Sequence, residues 1–143
     1  MEENVIVFVV ENNADHIYQL EQALRRTPLQ IELKIARYGN EAVLYLKGVG
    51  IYSDRSAYPL PRVILLDLDL PDGSALAVLG WIRQQPDLLG VPVLALAYPG
   101  QQHLIDEGRR LGATAFFPKG EFGPLLQTVQ SLVRSDAFGN VAA

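Results

Sequence analysis

The sequence predicts an α/β fold, a five-stranded parallel sheet doubly wound with helices on both faces. Two observations carry the prediction. Five short apolar runs alternate along the chain with five longer segments whose apolar residues recur at helical spacing. The run "VILLD" is apolar up to its final aspartate, as a strand buried on both faces must be. Right-handed crossovers between parallel strands then distribute the helices over both sides of the sheet.

The first strand is Val5 to Val10, an unbroken apolar run. Asn12 or Asn13 caps a helix carrying Ile17, Leu20 and Leu24, which Thr27-Pro28 stops. Strand two, Ile31 to Ala36, alternates Ile31, Leu33 and Ile35 with Glu32 and Lys34, the pattern of a half-buried edge strand. Gly39-Asn40 opens a short helix through Val43 and Leu46, which Gly48 closes. Residues 48 to 61, "GVGIYSDRSAYPLP", have no period and read as an exposed loop, long for a small domain. Strand three is Val63 to Asp67, followed by a helix from Ser74 to Gln85 with Leu76, Leu79 and Ile82 inward and Pro86 at its end. Val93 to Ala97 is the fourth strand. The fourth helix, Gln101 to Leu111, turns Leu104, Ile105, Gly108 and Leu111 inward and stops at Gly112. "TAFF" is the fifth strand, and Leu125, Leu126, Val129, Leu132 and Val133 mark the last helix.

At 143 residues, 49% hydrophobic and 20% charged, the chain is expected to form one domain over residues 1–134, with a short C-terminal tail at 135–143 too small for an effector domain. A net charge of −4 argues against nucleic-acid phosphates and anionic membranes as partners. Cysteine is absent, which removes disulfides, thiolate catalysis and zinc-thiolate sites and suits a reducing compartment. The first apolar run is six residues long, follows acids rather than a basic segment, and ends in Glu-Asn-Asn. It is a strand rather than a signal peptide or a membrane span, so the expected location is the cytoplasm.

In such a sheet the reaction site lies beyond the carboxyl ends of the central strands. Strand one ends there in Glu11 and Asn12, strand three in Asp67 with Asp69 beyond it, strand four in Ala97 and Tyr98, strand five in Pro118-Lys119. Three carboxylates and a lysine are thus expected on one rim. Clustered acids repel unless a cation joins them, and an oxygen-rich set favours Mg²⁺. The chemistry suggested is phosphoryl transfer onto a carboxylate, with Asp67 as the nucleophile and Lys119 as the fixed cation.

The segments "VVENN", "VILLDLDLPDG", "VPVLALA" and "FFPK" resemble, in order and spacing, the four active-site signatures of response-regulator receiver (CheY-like) domains, over about residues 4 to 134. The long loop before strand three and "IRQQPDLLGVPVLALA" resemble single-domain receivers that work with phytochrome-type histidine kinases. The resemblance implies a flavodoxin-like (βα)5 fold with strand order 2-1-3-4-5. It implies that Asp67 accepts a phosphoryl group from a histidine kinase or phosphotransfer protein, and that Lys119 contacts the phosphoryl oxygens. Mg²⁺ would be held by Glu11, Asn12, Asp67 and the backbone carbonyl of Asp69. Phe116 matches the aromatic switch position. The implied output is protein contact, including homodimers, through helix four, strand five and helix five.

Three positions depart from that pattern. Asn12 replaces the second strand-one acid and removes a charge from the metal cage. Ala97 replaces the usual threonine or serine, and Gly120 the proline after the lysine, where a cis bond is no longer favoured. A phosphorylation-independent pseudo-receiver therefore stands beside the phosphoacceptor reading. A third reading, an aspartate-nucleophile phosphatase with Asp69 as general acid, meets a Pro71 where that motif wants threonine. Asp72 reads as a turn residue, His16 and His103 as exposed helix positions, and Tyr52, Tyr58 and Tyr98 as a possible partner surface.

Overall fold

The computed structural model describes residues 4–142, with side chains through Arg134. The strands are β1 (Val5–Val10), β2 (Ile31–Ala36), β3 (Val63–Asp67), β4 (Val93–Ala97) and β5 (Ala115–Pro118). The helices are α1 (Ala14–Arg25), α2 (Gly39–Lys47), α3 (Ala75–Ile82), α4 (Gln102–Arg110) and α5 (Gly123–Ala142), with short 3-10 turns at Gly50–Ser53 and Pro86–Leu88. Side chains of the expected tail, 135–143, lie outside the described residues. All four strand pairs are parallel and the order is β2-β1-β3-β4-β5, the doubly wound arrangement expected. Among the described residues no helix is long and apolar enough to cross a membrane.

Alternation along the strands divides the core in two. Phe8, Val10, Ile64 and Leu66 face α2, α3 and α4, where they meet Tyr45, Leu46, Val78, Leu79 and Ile82. Val7, Val9, Val63 and Leu65 face α1 and α5, against Leu20, Leu24, Leu125, Val129 and Val133. The caps follow the sequence. Asn13 Oδ1 accepts the N–H groups of Asp15 and His16 and starts α1, and Gly48, at φ 72°, ends α2 in the left-handed conformation that glycine adopts freely.

Four expectations need correction. The 48–61 segment is not simply an exposed loop: the Arg55 guanidinium donates to the carbonyls of Tyr45, Leu46 and Tyr58, and Tyr52 and Tyr58 pack edge-on to each other and against Tyr45. The segment also touches the polar side of β2, where Lys34 pairs with Glu32 at 2.9 Å and lies 5.5 Å from the Tyr58 ring centroid, while Ile35 is exposed. α3 stops at Ile82 rather than Gln85, because the N–H groups of Gln84 and Gln85 turn to carbonyls three residues back and Pro86 begins a 3-10 turn. Its buried face is Ala75, Val78, Leu79 and Ile82, with Leu76 only half-buried. β5 runs one residue later than "TAFF", since Thr114 meets β4 partly through its side chain, Oγ1 accepting the Val93 N–H.

Candidate functional site

Register brings the strand ends together. Asp67 lies opposite Leu96 and Ala97 opposite Pro118, so β3, β4 and β5 finish at one level and Lys119 follows directly. Lys119 Nζ sits 2.7 Å from Asp67 Oδ1, with side chains only 6% and 3% exposed. A pair this dry holds its geometry because neither charge can be left alone without a large desolvation penalty. Asp67 Oδ1 also accepts the Asp69 N–H at 2.9 Å, a tight turn that fixes the carboxylate's orientation.

Glu11 is the second acid of the site, 1% exposed. Its Oε1 accepts the Asn13 N–H at 3.1 Å and lies 3.6 Å from His16 Nδ1. Its Oε2 is buried without a hydrogen-bond partner. Burial first, and the negative charge of Asp67 second, push the Glu11 carboxyl up to about 7, against the opposing pull of the Asn13 N–H and the Lys119 ammonium.

Other expected residues are placed differently. The Asn12 side chain turns toward the Arg37 carbonyl, 3.5 Å away. The Asp69 carboxylate is exposed and engaged by Gln101 Nε2 at 3.0 Å. Two carboxylates, not three, therefore meet in the buried site. Ala97 is buried and carries no polar side-chain atom. Phe116 is half-buried against Gly108, where an added Cβ would come within 3.1 Å of the ring, and Arg109 Cζ lies 5.2 Å from its centroid. Gly120 has φ 86°, a conformation the proline ring cannot adopt. Asp72 is a turn residue as expected: it accepts from Ser74 and, at 3.4 Å, from the Gly39 N–H.

The sequence missed three neighbours of the site. His16, read as exposed, is half-buried against Glu11. The Tyr98 ring centroid is 4.7 Å from Lys119 Nζ. Gln101 bridges Asp69 and the Tyr98 N–H. Tyr52 and Tyr58 belong to the loop's own packing, so they do not join Tyr98 in a single surface. The one available signal was that His16 falls one turn into a helix beginning beside Glu11; no periodicity marks Tyr98 or Gln101.

Among the described residues, no three His, Cys, Asp or Glu side chains are grouped to hold a metal. The two carboxyl groups that meet, those of Glu11 and Asp67, offer oxygen donors only. An orphaned carboxylate oxygen next to a second carboxylate fits a hard divalent cation.

Comparison with known proteins places the site in context. No protein-family model matches the sequence. Response regulator Rcp1 of Synechocystis sp. is 34% identical over 91 residues, 64% of this chain and 60% of Rcp1. The chain spans about three fifths of the length of the curated relatives it matches, 60% and 59%. Among solved structures, the bacteriophytochrome response regulator AtBRR is 32% identical with a TM-score of 0.75, over 92% of this chain and 94% of AtBRR. The phosphorylated cyanobacterial phytochrome response regulator RcpA is 28% identical with a TM-score of 0.76, over 99% and 97%. Rcp1 in its Mn²⁺-bound form is 28% identical with a TM-score of 0.75, over 90% and 91%.

Proposed function

This chain belongs to the receiver-domain family of response regulators, and from that premise we propose that it takes a phosphoryl group on Asp67 from a histidine kinase or phosphotransfer protein in the cytoplasm. The observation that carries the reading is the buried Asp67–Lys119 pair at the carboxyl end of the central strand. Oδ1 is committed to the Asp69 N–H and Lys119, so attack on phosphorus belongs to Oδ2. The new P–O bond forms as the donor's P–N bond breaks, and the donor imidazole keeps the electron pair. Lys119, on a flexible stem, then exchanges the carboxylate for phosphoryl oxygens. A divalent cation held by Glu11, Asp67, Asn12 and the Asp69 carbonyl would supply neutralising charge for the incoming phosphoryl group; Rcp1 binds Mn²⁺. Output is by protein contact through α4, β5 and α5, including contact with a second copy.

A second reading has its own observations: Ala97 offers no hydroxyl, Asn12 faces Arg37, and Gly120 takes a conformation closed to proline. It makes the chain a phosphorylation-independent interaction module. Intact mass after incubation with Mg²⁺ and acetyl phosphate, beside an Asp67→Asn control, separates the two. A phosphate adduct on the wild type alone is the expected result. Absence of adduct under conditions that label an ordinary receiver would leave the interaction module.

A further inference from the structure

Five contacts close a circuit around Asp67. Its Oδ1 accepts the Asp69 N–H at 2.9 Å. Asp69 Oδ2 accepts Gln101 Nε2 at 3.0 Å, and Gln101 Oε1 accepts the Tyr98 N–H at 2.8 Å. The Tyr98 ring meets Lys119 Nζ, 4.7 Å from the centroid, and Lys119 returns to the same Oδ1 at 2.7 Å. Three of the five links come from the four residues Tyr98–Gln101, which β4 delivers past an alanine with nothing polar to offer. Gln101 stands at the N-cap of α4, yet its side chain makes no capping bond to that helix. It is spent on the bridge instead.

We propose that Tyr98 and Gln101 are positioning residues for the acceptor: the Tyr98 ring holds the Lys119 ammonium on Asp67, and Gln101 clamps the β4–α4 connection to Asp69. The proposal deepens the phosphoacceptor reading and rests on it. The face of a tyrosine ring attracts an ammonium, more strongly when the ammonium is shielded from water, and Lys119 is. A lysine otherwise has a flexible stem and no fixed direction. Both arms of the circuit end on one atom, Asp67 Oδ1, so a change of charge there pulls on the ring through Lys119 and on Gln101 through Asp69. Gln101 directly precedes α4, and the disturbance is delivered to that helix.

Two readouts on the full chain test this, with Tyr98→Phe, Tyr98→Leu and Gln101→Leu. The first is the NMR position of the Lys119 ε-methylene in the unphosphorylated protein, which needs no phosphoryl transfer. A ring over the side chain shifts it upfield; the shift is expected in wild type and in Tyr98→Phe, and lost in Tyr98→Leu. The second is the initial rate of adduct formation with Mg²⁺ and acetyl phosphate. It is expected to fall severalfold in Tyr98→Leu and Gln101→Leu and to be retained in Tyr98→Phe, with all variants folded by their thermal transitions. An unshifted Lys119 in wild type, or leucine variants labelling at the wild-type rate, would overturn the proposal. A wild type that takes no phosphate overturns the acceptor reading instead, and the Lys119 shift and its dependence on the ring then decide by themselves whether Tyr98 holds the lysine.

Discussion

Glu11 sets the pH response of the site. Its carboxyl keeps a proton up to about 7 in the folded protein, whereas the unfolded chain loses it near 4.5. The folded state therefore binds more protons between these values, so stability from Glu11 is complete below about 4.5 and is lost as pH rises through about 7. In chelator, urea unfolding should show stability falling from pH 5 to pH 8, with a ceiling of about 3 kcal/mol from this group. Glu11→Gln should flatten that window, and an equal slope in the variant would remove Glu11 as the cause. Glu32, Asp54, Asp72 and Glu107 are all held below their usual values by hydrogen bonds, so their contributions change at more acidic pH. Much of this site was legible as sequence. A buried parallel strand ending in an acid can put that acid only on the carboxyl rim, which located Glu11, Asp67 and Lys119. What stayed hidden was side-chain direction: Asn12 turns to a carbonyl of the neighbouring chain segment, and Asp69 turns to a glutamine 32 residues away. Neither choice leaves a trace in residue type or spacing.

The 48–61 segment shows the same limit at the level of an element. Strands and most helix ends were readable from apolar runs, Asn13, Gly48 and Pro86, because each rests on a local rule. The segment's order rests instead on one arginine reaching back to the last turn of α2. Arg55 Nη2 donates to Leu46 O at 2.9 Å, while Nη1 donates to Tyr45 O at 2.9 Å and Tyr58 O at 3.0 Å. Leu46 O is a carbonyl that the end of α2 leaves without an internal partner, whereas Tyr45 O also accepts the Gly48 N–H at 3.0 Å and Tyr58 O belongs to the segment itself. Removing the guanidinium takes that donor from the Leu46 and Tyr58 carbonyls beside the aromatic packing of Tyr45, Tyr52 and Tyr58, at a cost of about 1–3 kcal/mol. Arg55→Ala should lower the urea midpoint accordingly and open residues 50–58 to limited proteolysis. Arg55→Lys should recover little, since an ammonium lacks the planar fork that spans three acceptors. Wild-type resistance to protease in Arg55→Ala would mean that the tyrosines hold the segment without it.

At the scale of the molecule, the sheet belongs to two cores at once, and the acceptor stands where they share strands. Residues 7 and 9 of β1 and 63 and 65 of β3 serve the α1–α5 side, while residues 8, 10, 64 and 66 serve the α2–α3–α4 side. Neither core can lose its strand residues without exposing the other, so unfolding should be one cooperative transition. Leu79, 0% exposed on one side, and Leu125, 1% exposed on the other, test this. Each leucine-to-alanine change should cost about 2–5 kcal/mol through lost burial and a residual cavity. The residues sit in separate cores with the sheet between them, so the two costs should add to within about 0.5 kcal/mol. Two resolved transitions, each shifted by only one of the two substitutions, would mean that the faces fold independently. The consequence reaches the site because Glu11, Asp67 and Lys119 stand at the ends of three different strands, and their spacing is set by strand register and by no single helix. Each single variant, at a temperature where it remains folded, should therefore keep the Asp67–Lys119 pair and accept phosphate on Asp67. A folded Leu125→Ala protein that fails to label would place control of the acceptor in the α5 packing, next to the loop that carries Lys119.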